Sequence, residues 1–187
     1  MLYVVRHGES VFNYQKLVCG ISNVPLTEKG VAQAQKTGEK LKDIKFDYVF
    51  VSPLDRAQKT AEIILSVNEH QPPAPVVNQL LIERDAGLWE GDQRDSGTGY
   101  VAWAPDFDCE ALGYETRQSV AIRVQAFLEE IGDIYKDKNV LVVAHNGIVR
   151  GFRRAFEGIS YDEDWLKYGV ANAGVVTFEW EAYEKRD

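Results

Sequence analysis

The sequence predicts an α/β fold: a three-layer sandwich with a mostly parallel central sheet and helices on both faces. Three observations carry that prediction. Short runs of β-branched and apolar residues alternate along the chain with segments of helical periodicity, the pattern of strand–helix–strand units. Several of these runs break without a linker into polar residues, as strands do when they deliver side chains to the carboxyl edge of an open sheet. The 187 residues suffice for a single domain, 1–187, with a full core, and no repeat or low-complexity stretch divides them.

The first run, Leu2-Tyr3-Val4-Val5, reads as a buried strand and passes directly into Arg6-His7-Gly8-Glu9-Ser10. Pro25-Leu26-Thr27 then opens a helix, with Thr27 as N-cap and Val31, Ala34, Gly38 and Leu41 at helical spacing. Asp47 to Val51 is a second strand. Ser52-Pro53-Leu54-Asp55 after it has the punctuation of a helix start, with Ser52 as cap, Pro53 at the first helical position and Asp55 completing a box-like pattern. Arg56 therefore falls in the first turn, where the positive helix end disfavours a cation unless both share an anion.

Residues 67–75 have loop chemistry, and Val76-Val77 and Leu80-Leu81-Ile82 resume apolar character up to Glu83-Arg84-Asp85. The segment 87–112 is the least regular, rich in Gly and Asp but carrying Trp89, Tyr100, Trp103 and Phe107; it reads as a lid-like insertion over the sheet edge. Its aromatics suit either stacking on a ligand ring or packing onto the core. From about Glu115 a long helix puts Val120, Val124, Phe127, Leu128 and Ile131 on one face. The strand Val140 to Val143 ends in Ala144-His145-Asn146-Gly147, repeating the device of the first strand. A helix from Ile148 to Phe156, a short helix near Tyr161 to Tyr168 and a strand from Val175 to Trp180 complete the chain.

Composition excludes several functions. With 29 acidic against 21 basic residues and a net charge of −8, the chain lacks the basic face that nucleic acid demands, so an anionic substrate must meet a locally positive pocket. No apolar run approaches the roughly 20 residues of a membrane span, and the amino terminus has no cleavable signal pattern, so a cytoplasmic protein without membrane contact is expected. Cys19 and Cys109 lack C-x-x-C spacing and read as reduced thiols, not as a disulfide framework or a zinc site. Neither cysteine is followed by the C-x(5)-R of cysteine phosphatases. Asp106-Phe107-Asp108 follows no apolar strand, and Gly97-Thr98-Gly99 follows polar residues, so neither is a phosphate motif. No phosphate-binding P-loop, serine-hydrolase elbow or H-E-x-x-H helix occurs, and no metal or cofactor is called for. The sequence leaves the oligomeric state open.

If the three polar-ended strands are parallel neighbours, Arg6-His7, Ser52 with Arg56, and His145 converge. Two imidazoles and two guanidiniums repel one another unless an anion sits among them, and guanidinium forks beside a helix N-terminus suit the oxygens of a phosphoryl group. His70, with loop neighbours on both sides, reads as exposed.

The chain resembles the histidine phosphatase superfamily, in its phosphoglycerate mutase-like branch. Arg6-His7-Gly8-Glu9-Ser10 with Asn13 is similar to its first motif, and Pro25-Leu26-Thr27 with Gly30, Gln33 and Ala34 to the next. Ser52-Pro53-Leu54 with Arg56-Ala57 and Thr60-Ala61 resembles S-P-L-x-R-A-x-x-T-A. Leu81-Ile82-Glu83 with Gly87, Trp89, Glu90 and Gly91 resembles the acid-bearing segment, and Ala144-His145-Asn146-Gly147 the second-histidine motif. The resemblance implies phosphoryl transfer through a phosphohistidine, with His7 as nucleophile, Arg6, Arg56 and His145 holding phosphoryl oxygens, and Glu83 as proton donor and acceptor. That last role needs a carboxyl group still protonated when substrate arrives; the substrate's charge favours this and the arginines oppose it. Asn13, Gly20 and Asn146 are implied as substrate-binding, whereas Glu90 matches a position that is not the family's acid.

Asn23 stands where many members carry Asp, and Asn146 where Gly is frequent. The glycolytic mutases carry E-R-H-Y-G where this chain has Glu83-Arg84-Asp85-Ala86-Gly87. That departure favours a phosphatase for a small phosphorylated metabolite, a sugar phosphate first, over a cofactor-dependent phosphoglycerate mutase. An inactive phospho-ligand binding protein is the remaining alternative, opposed by the complete residue set.

Overall fold

In a computed structural model, which describes residues 1–93, 113–132 and 135–183, the apolar runs assemble into one five-stranded sheet of order β3-β2-β4-β1-β5. The strands are β1 (Leu2–Arg6), β2 (Tyr48–Val51), β3 (Val76–Val77), β4 (Val140–Ala144) and β5 (Val175–Phe178). All neighbours are parallel except β5, which runs antiparallel to β1. The central strand β4 pairs Val140 to Ala144 with Leu2 to Arg6 on one side and Val140 to Val143 with Tyr48 to Val51 on the other. All five β4 residues are buried, which is why this run is continuously apolar instead of alternating.

Alternate strand residues feed the two outer layers. Leu2, Val4, Phe50, Val140 and Val142 pack with Val124, Phe127 and Phe152 from α4 (Arg117–Ile131) and α5 (Asn146–Glu157). Val5, Val49, Val51, Leu141 and Val143 face Leu41 of α2 (Glu28–Leu41) and Ala57, Ala61 and Ile64 of α3 (Asp55–Ser66). Each buried Val, Leu, Ile or Phe among them contributes roughly 1.5–3 kcal/mol; a charge at Leu141 would break the second layer.

Helix starts follow local chemistry. Thr27 caps α2 by accepting from the Gly30 N–H, and Thr116 caps α4 by accepting from the Ser119 N–H. Ser52 corrects the sequence reading: α3 begins at Asp55 with Leu54 in the cap position and no side-chain cap bond. The Ser52 hydroxyl instead accepts the Leu54 N–H at 3.3 Å in a turn before the helix and meets His145. Arg56 keeps its predicted place in the first turn. A short α1 (Val11–Tyr14), capped reciprocally by Ser10 and Asn13, was not apparent from periodicity because it is one turn long. The expected helix at Tyr161 to Tyr168 contracts to a 3₁₀ turn at Trp165–Tyr168.

Of the segment 87–112, expected as a lid-like insertion, Gly87–Trp89 forms a 3₁₀ turn, and Trp89 packs against Val18, Ala86 and Tyr114. Residues 94–112, with Tyr100, Trp103, Phe107 and Cys109, lie outside the described residues. Among the described residues no helix is long and apolar enough to cross a membrane.

Candidate active site

The carboxyl ends of β1, β2 and β4 lie side by side, and each hands over one part of the site. The backbone after β1 is locked first. Gly8 and Gly30 bring α2 against it so closely that a Cβ on Gly8 would sit 2.4 Å from the Gly30 carbonyl oxygen, and one on Gly30 2.1 Å from that of Glu9. The Gly8 N–H donates to Thr60 Oγ1 at 3.1 Å, and that hydroxyl donates to the Arg56 carbonyl, tying the end of β1 to the first turns of α3.

His7 is thereby fixed in position and in tautomer. Its Nδ1 lies 2.7 Å from the Gly8 carbonyl oxygen, which only accepts, so Nδ1 carries the proton. Its Nε2 lies 3.2 Å from Arg56 Nε, which only donates, so Nε2 presents a lone pair. The ring is neutral and its unprotonated nitrogen faces a guanidinium. Arg56 is fully buried and spends its other nitrogens on backbone: Nη1 donates to the Ser22 carbonyl at 2.7 Å and Nη2 to the Gly20 carbonyl at 2.6 Å. Glu90 holds that loop in turn, accepting from the Ile21 N–H at 2.7 Å and the Ser22 hydroxyl at 2.6 Å. Both Glu90 oxygens are therefore committed to the loop under Arg56, consistent with its not serving as the acid.

His145 follows β4, with its ring centroid 5.1 Å from that of His7. Burial first, and then the charges of Arg56, Arg6 and Arg123, hold its pKa well below the usual histidine range, so the ring is neutral. Its Nε2 is 2.6 Å from Ser52 Oγ, while Nδ1 is buried with no hydrogen-bond partner among the described residues. With Ser52 donating to Nε2, the Nδ1–H is the donor left for a ligand oxygen.

Arg6, Glu83, Asn13, Gly20 and Asn146 join His7 around a cavity of about 550 Å³. Glu83 Oε1 accepts from the Arg84 N–H at 2.8 Å and the Gly147 N–H at 3.1 Å, which seats the carboxyl group at the start of α5. Arg6 Nη1 donates to the Val170 carbonyl at 2.8 Å, and Asn146 Oδ1 accepts the Val170 N–H at 2.9 Å. Asn13 Oδ1 accepts from the Ser10 N–H and from Asn172 Nδ2. Every candidate named from the sequence thus reaches one cavity or its immediate wall, and His70 is exposed, with its Nε2 3.0 Å from the Asp43 carbonyl.

Sequence reasoning missed other parts. The segment 169–173 holds Arg6, Asn146 and Asn13 through its backbone and Asn172, and no motif marks it. Arg150 also lines the cavity, buried, with Nε donating to the Trp165 carbonyl at 2.7 Å. A signal for it existed: Arg150 is four residues past Asn146, on the same helix face. Arg84 and Lys167 complete the positive lining.

Fold and site define a class: open α/β proteins with paired histidines and a buried arginine at the carboxyl edge of the sheet. The chain belongs to the histidine phosphatase superfamily (branch 1), whose family model matches residues 2–186. It is 33% identical to 2,3-bisphosphoglycerate-dependent phosphoglycerate mutase 2 of Gloeobacter violaceus over 97% of this chain and 86% of that protein. Identity is 32% to the adenosylcobalamin/α-ribazole phosphatase of Escherichia coli over 79% of this chain and 74% of that one. The crystal structure of phosphoglycerate mutase from Bacillus anthracis superposes with a TM-score of 0.77 at 28% identity, covering 93% of this chain and 85% of that chain. Members of the superfamily are phosphatases or mutases.

Proposed function

We propose that this protein is a phosphatase that hydrolyses a small phosphorylated metabolite, such as a sugar phosphate, through a phosphohistidine on His7. The observation that carries the proposal is the tautomer of His7, protonated at Nδ1 by its bond to Gly8 and bearing a lone pair at Nε2. When the phosphoryl group enters, one of its oxygens takes over the Arg56 Nε–H and releases that lone pair. Nε2 then forms a bond to phosphorus as the ester P–O bond breaks, and Glu83 gives its proton to the leaving alkoxide. In the second step Glu83 takes a proton from water, the water oxygen bonds to phosphorus, and the N–P bond breaks.

Charge developing on the equatorial oxygens is met by Arg6, Arg56, the His145 Nδ1–H and the amide N–H groups of Asn13 and Asn146. Gly20 contributes through the carbonyl that holds Arg56. Because these donors are already held by backbone carbonyls, backbone N–H groups or neighbouring side chains, little reorganisation is needed during the reaction.

A second reading, a phosphoglycerate mutase, is favoured by the identity to a curated mutase. Against it stands Asp85-Ala86, where the resemblance puts His-Tyr in mutases: Ala86 lines the cavity with a side chain much smaller than tyrosine. A mutase must keep water from its phosphohistidine while substrates exchange, and a phosphatase must admit it.

The test is a screen of phosphorylated metabolites without added metal, with His7→Ala as control and acid-labile phosphoenzyme trapped from radiolabelled substrate. Release of phosphate by the native protein, with loss of turnover and of label in His7→Ala, is the expected result. Turnover surviving in His7→Ala overturns the nucleophile. Interconversion of phosphoglycerates that depends on the bisphosphate, without net phosphate release, establishes the mutase instead.

A further inference from the structure

In the proposed reaction Glu83 must first give a proton and then take one, yet its backbone lies in a stretch, 82–86, with neither helix nor strand to hold it. A general acid works only within hydrogen-bond reach of the leaving oxygen, and a misplacement of about 1 Å costs roughly 10²-fold in rate. Something outside that stretch has to fix it.

An ion pair at the start of α4 does so. Arg123 Nε donates to Glu115 Oε1 at 2.7 Å and Nη2 to Oε2 at 2.8 Å, a two-pronged bridge between planar groups. The third nitrogen, Nη1, donates to the Leu80 carbonyl at 2.7 Å and the Ile82 carbonyl at 3.0 Å. Glu115 takes the other side. Its Oε2 accepts the Asp85 N–H at 3.2 Å, its own N–H donates to the Asp85 carbonyl at 3.0 Å, and its carbonyl accepts Arg84 Nε at 2.6 Å. Glu83 is thereby bracketed, with the residue before it held by Arg123 and those after it by Glu115. Farther along α4, Glu130 accepts from Asn78 Nδ2 at 3.1 Å, so the helix also grips the segment where it begins. The Arg123 and Glu115 side chains are 20% and 17% exposed, sheltered enough for the bridge to outweigh an ordinary surface pair. Neither is among the described residues that line the cavity.

We infer that the Glu115–Arg123 pair is a positioning device for Glu83, setting how far that carboxyl group reaches toward the leaving oxygen without itself meeting the substrate. This rests on the phosphatase reading, with Glu83 as the acid, and adds to it residues that act through the backbone. Arg123 is also one of the charges that depress the His145 pKa, so position and charge have to be told apart.

Leaving groups supply the test. A p-nitrophenolate departs without a proton, whereas an alkoxide must be protonated as it leaves, so the acid matters to kcat/KM for alkyl esters and hardly for p-nitrophenyl phosphate. Glu83→Gln calibrates the assay: the ratio of kcat/KM for glycerol 3-phosphate, or the alkyl ester turned over best in the screen, to that for p-nitrophenyl phosphate should fall about 10²-fold. Arg123→Lys keeps the charge but loses the fork that spans Glu115 and the Leu80 and Ile82 carbonyls. In it, and in the nearly isosteric Glu115→Gln, the same ratio is expected to fall about tenfold, with the inhibition constant of inorganic phosphate nearly unchanged. Lys59→Gln, which breaks an exposed pair with Glu62 on α3, keeps the native ratio. Glu115→Gln keeps the test decisive should Arg123→Lys fail to fold. Equal losses on both esters, or an unchanged ratio, in the variants that fold overturn the positioning role while the phosphatase reading stands. So does a ratio that falls in Arg123→Gln but not in Arg123→Lys, which would assign the effect to charge. If Glu83→Gln leaves the ratio unchanged, or the native protein hydrolyses no alkyl ester, the underlying reading fails instead.

Discussion

The two ends of the cavity are built by different means. At the histidine end, His7, Arg56 and His145 come from the carboxyl ends of adjacent parallel strands or the first turn beyond them, and the sheet register sets their spacing. His7 is further locked by the Gly8 carbonyl, Arg56 by those of Gly20 and Ser22, and His145 by the Ser52 hydroxyl. At the arginine end, Arg150 is held by the Trp165 carbonyl in a 3₁₀ turn, and Lys167 stands exposed beside it. Rigid placement belongs where bonds are made, because a misplaced donor costs rate; looser placement serves affinity for the remainder of a ligand. Substitutions at the first end should therefore act on kcat, and those at the second on KM.

Arg56→Lys tests that contrast most severely. Lysine keeps the charge but lacks the planar fork, so it cannot reach the Gly20 and Ser22 carbonyls and His7 Nε2 together. Loss of about 10²–10³ in kcat is expected, the scale of removing one organised donor from a developing oxyanion. Steady-state kinetics on the best substrate, with circular dichroism to verify folding, measures it. A change below tenfold would mean that the fork is dispensable and the histidine end is not rigidly organised.

Glu90→Ala probes the same end one step further out. Among the described residues its carboxylate bonds only to the loop 21–22, and that loop bonds to Arg56. Truncation leaves the Ile21 N–H and the Ser22 hydroxyl without their acceptor, a cost of roughly 1–2 kcal/mol each where buried and less where water replaces it. We expect kcat to fall roughly tenfold with KM nearly unchanged, since one such bond's worth of misplacement corresponds to about that factor. If KM rises and kcat holds, Glu90 belongs functionally with the arginine end.

The same contrast explains what was legible in the sequence. The strands were readable because β4 and its neighbours are buried on both faces, which forces continuous apolar runs, and the residues after them were readable because such runs stop abruptly. Arg56 stood out because a cation in a first helical turn is electrostatically misplaced. Ser52 was misread: its sequence setting is that of a helix cap, and only the arrival of His145 from a strand 93 residues away redirects its hydroxyl. The segment 169–173 left no trace, since it holds Arg6 and Asn146 through the carbonyl and N–H of Val170, which any residue but proline supplies, and adds only one side chain, Asn172, in no recognisable pattern. The arginine end depends on which way isolated cations turn, and local sequence does not encode that.

The smallest effect concerns stability rather than turnover. His145 is fully buried, and burial together with Arg56, Arg6 and Arg123 lowers its pKa well below that of an unfolded histidine, about 6.5. The unfolded chain thus binds a proton that the folded chain refuses. Stability from this residue is complete above about pH 6.5 and is lost as pH falls below it toward the folded-state value, with a slope of up to about 1.4 kcal/mol per pH unit. Urea unfolding of the native protein and of His145→Gln at pH 7.5 and 5.5 measures it: the native midpoint should drop more steeply on acidification. Parallel pH dependences would show that His145 accepts its proton in the folded state, and an imidazolium there would place one more positive charge beside Arg56 and His7. Inorganic phosphate sharpens the test, because an anion at the histidine end favours the charged ring. With phosphate present, the difference between the two proteins should narrow, and it should do so at pH 5.5 more than at pH 7.5.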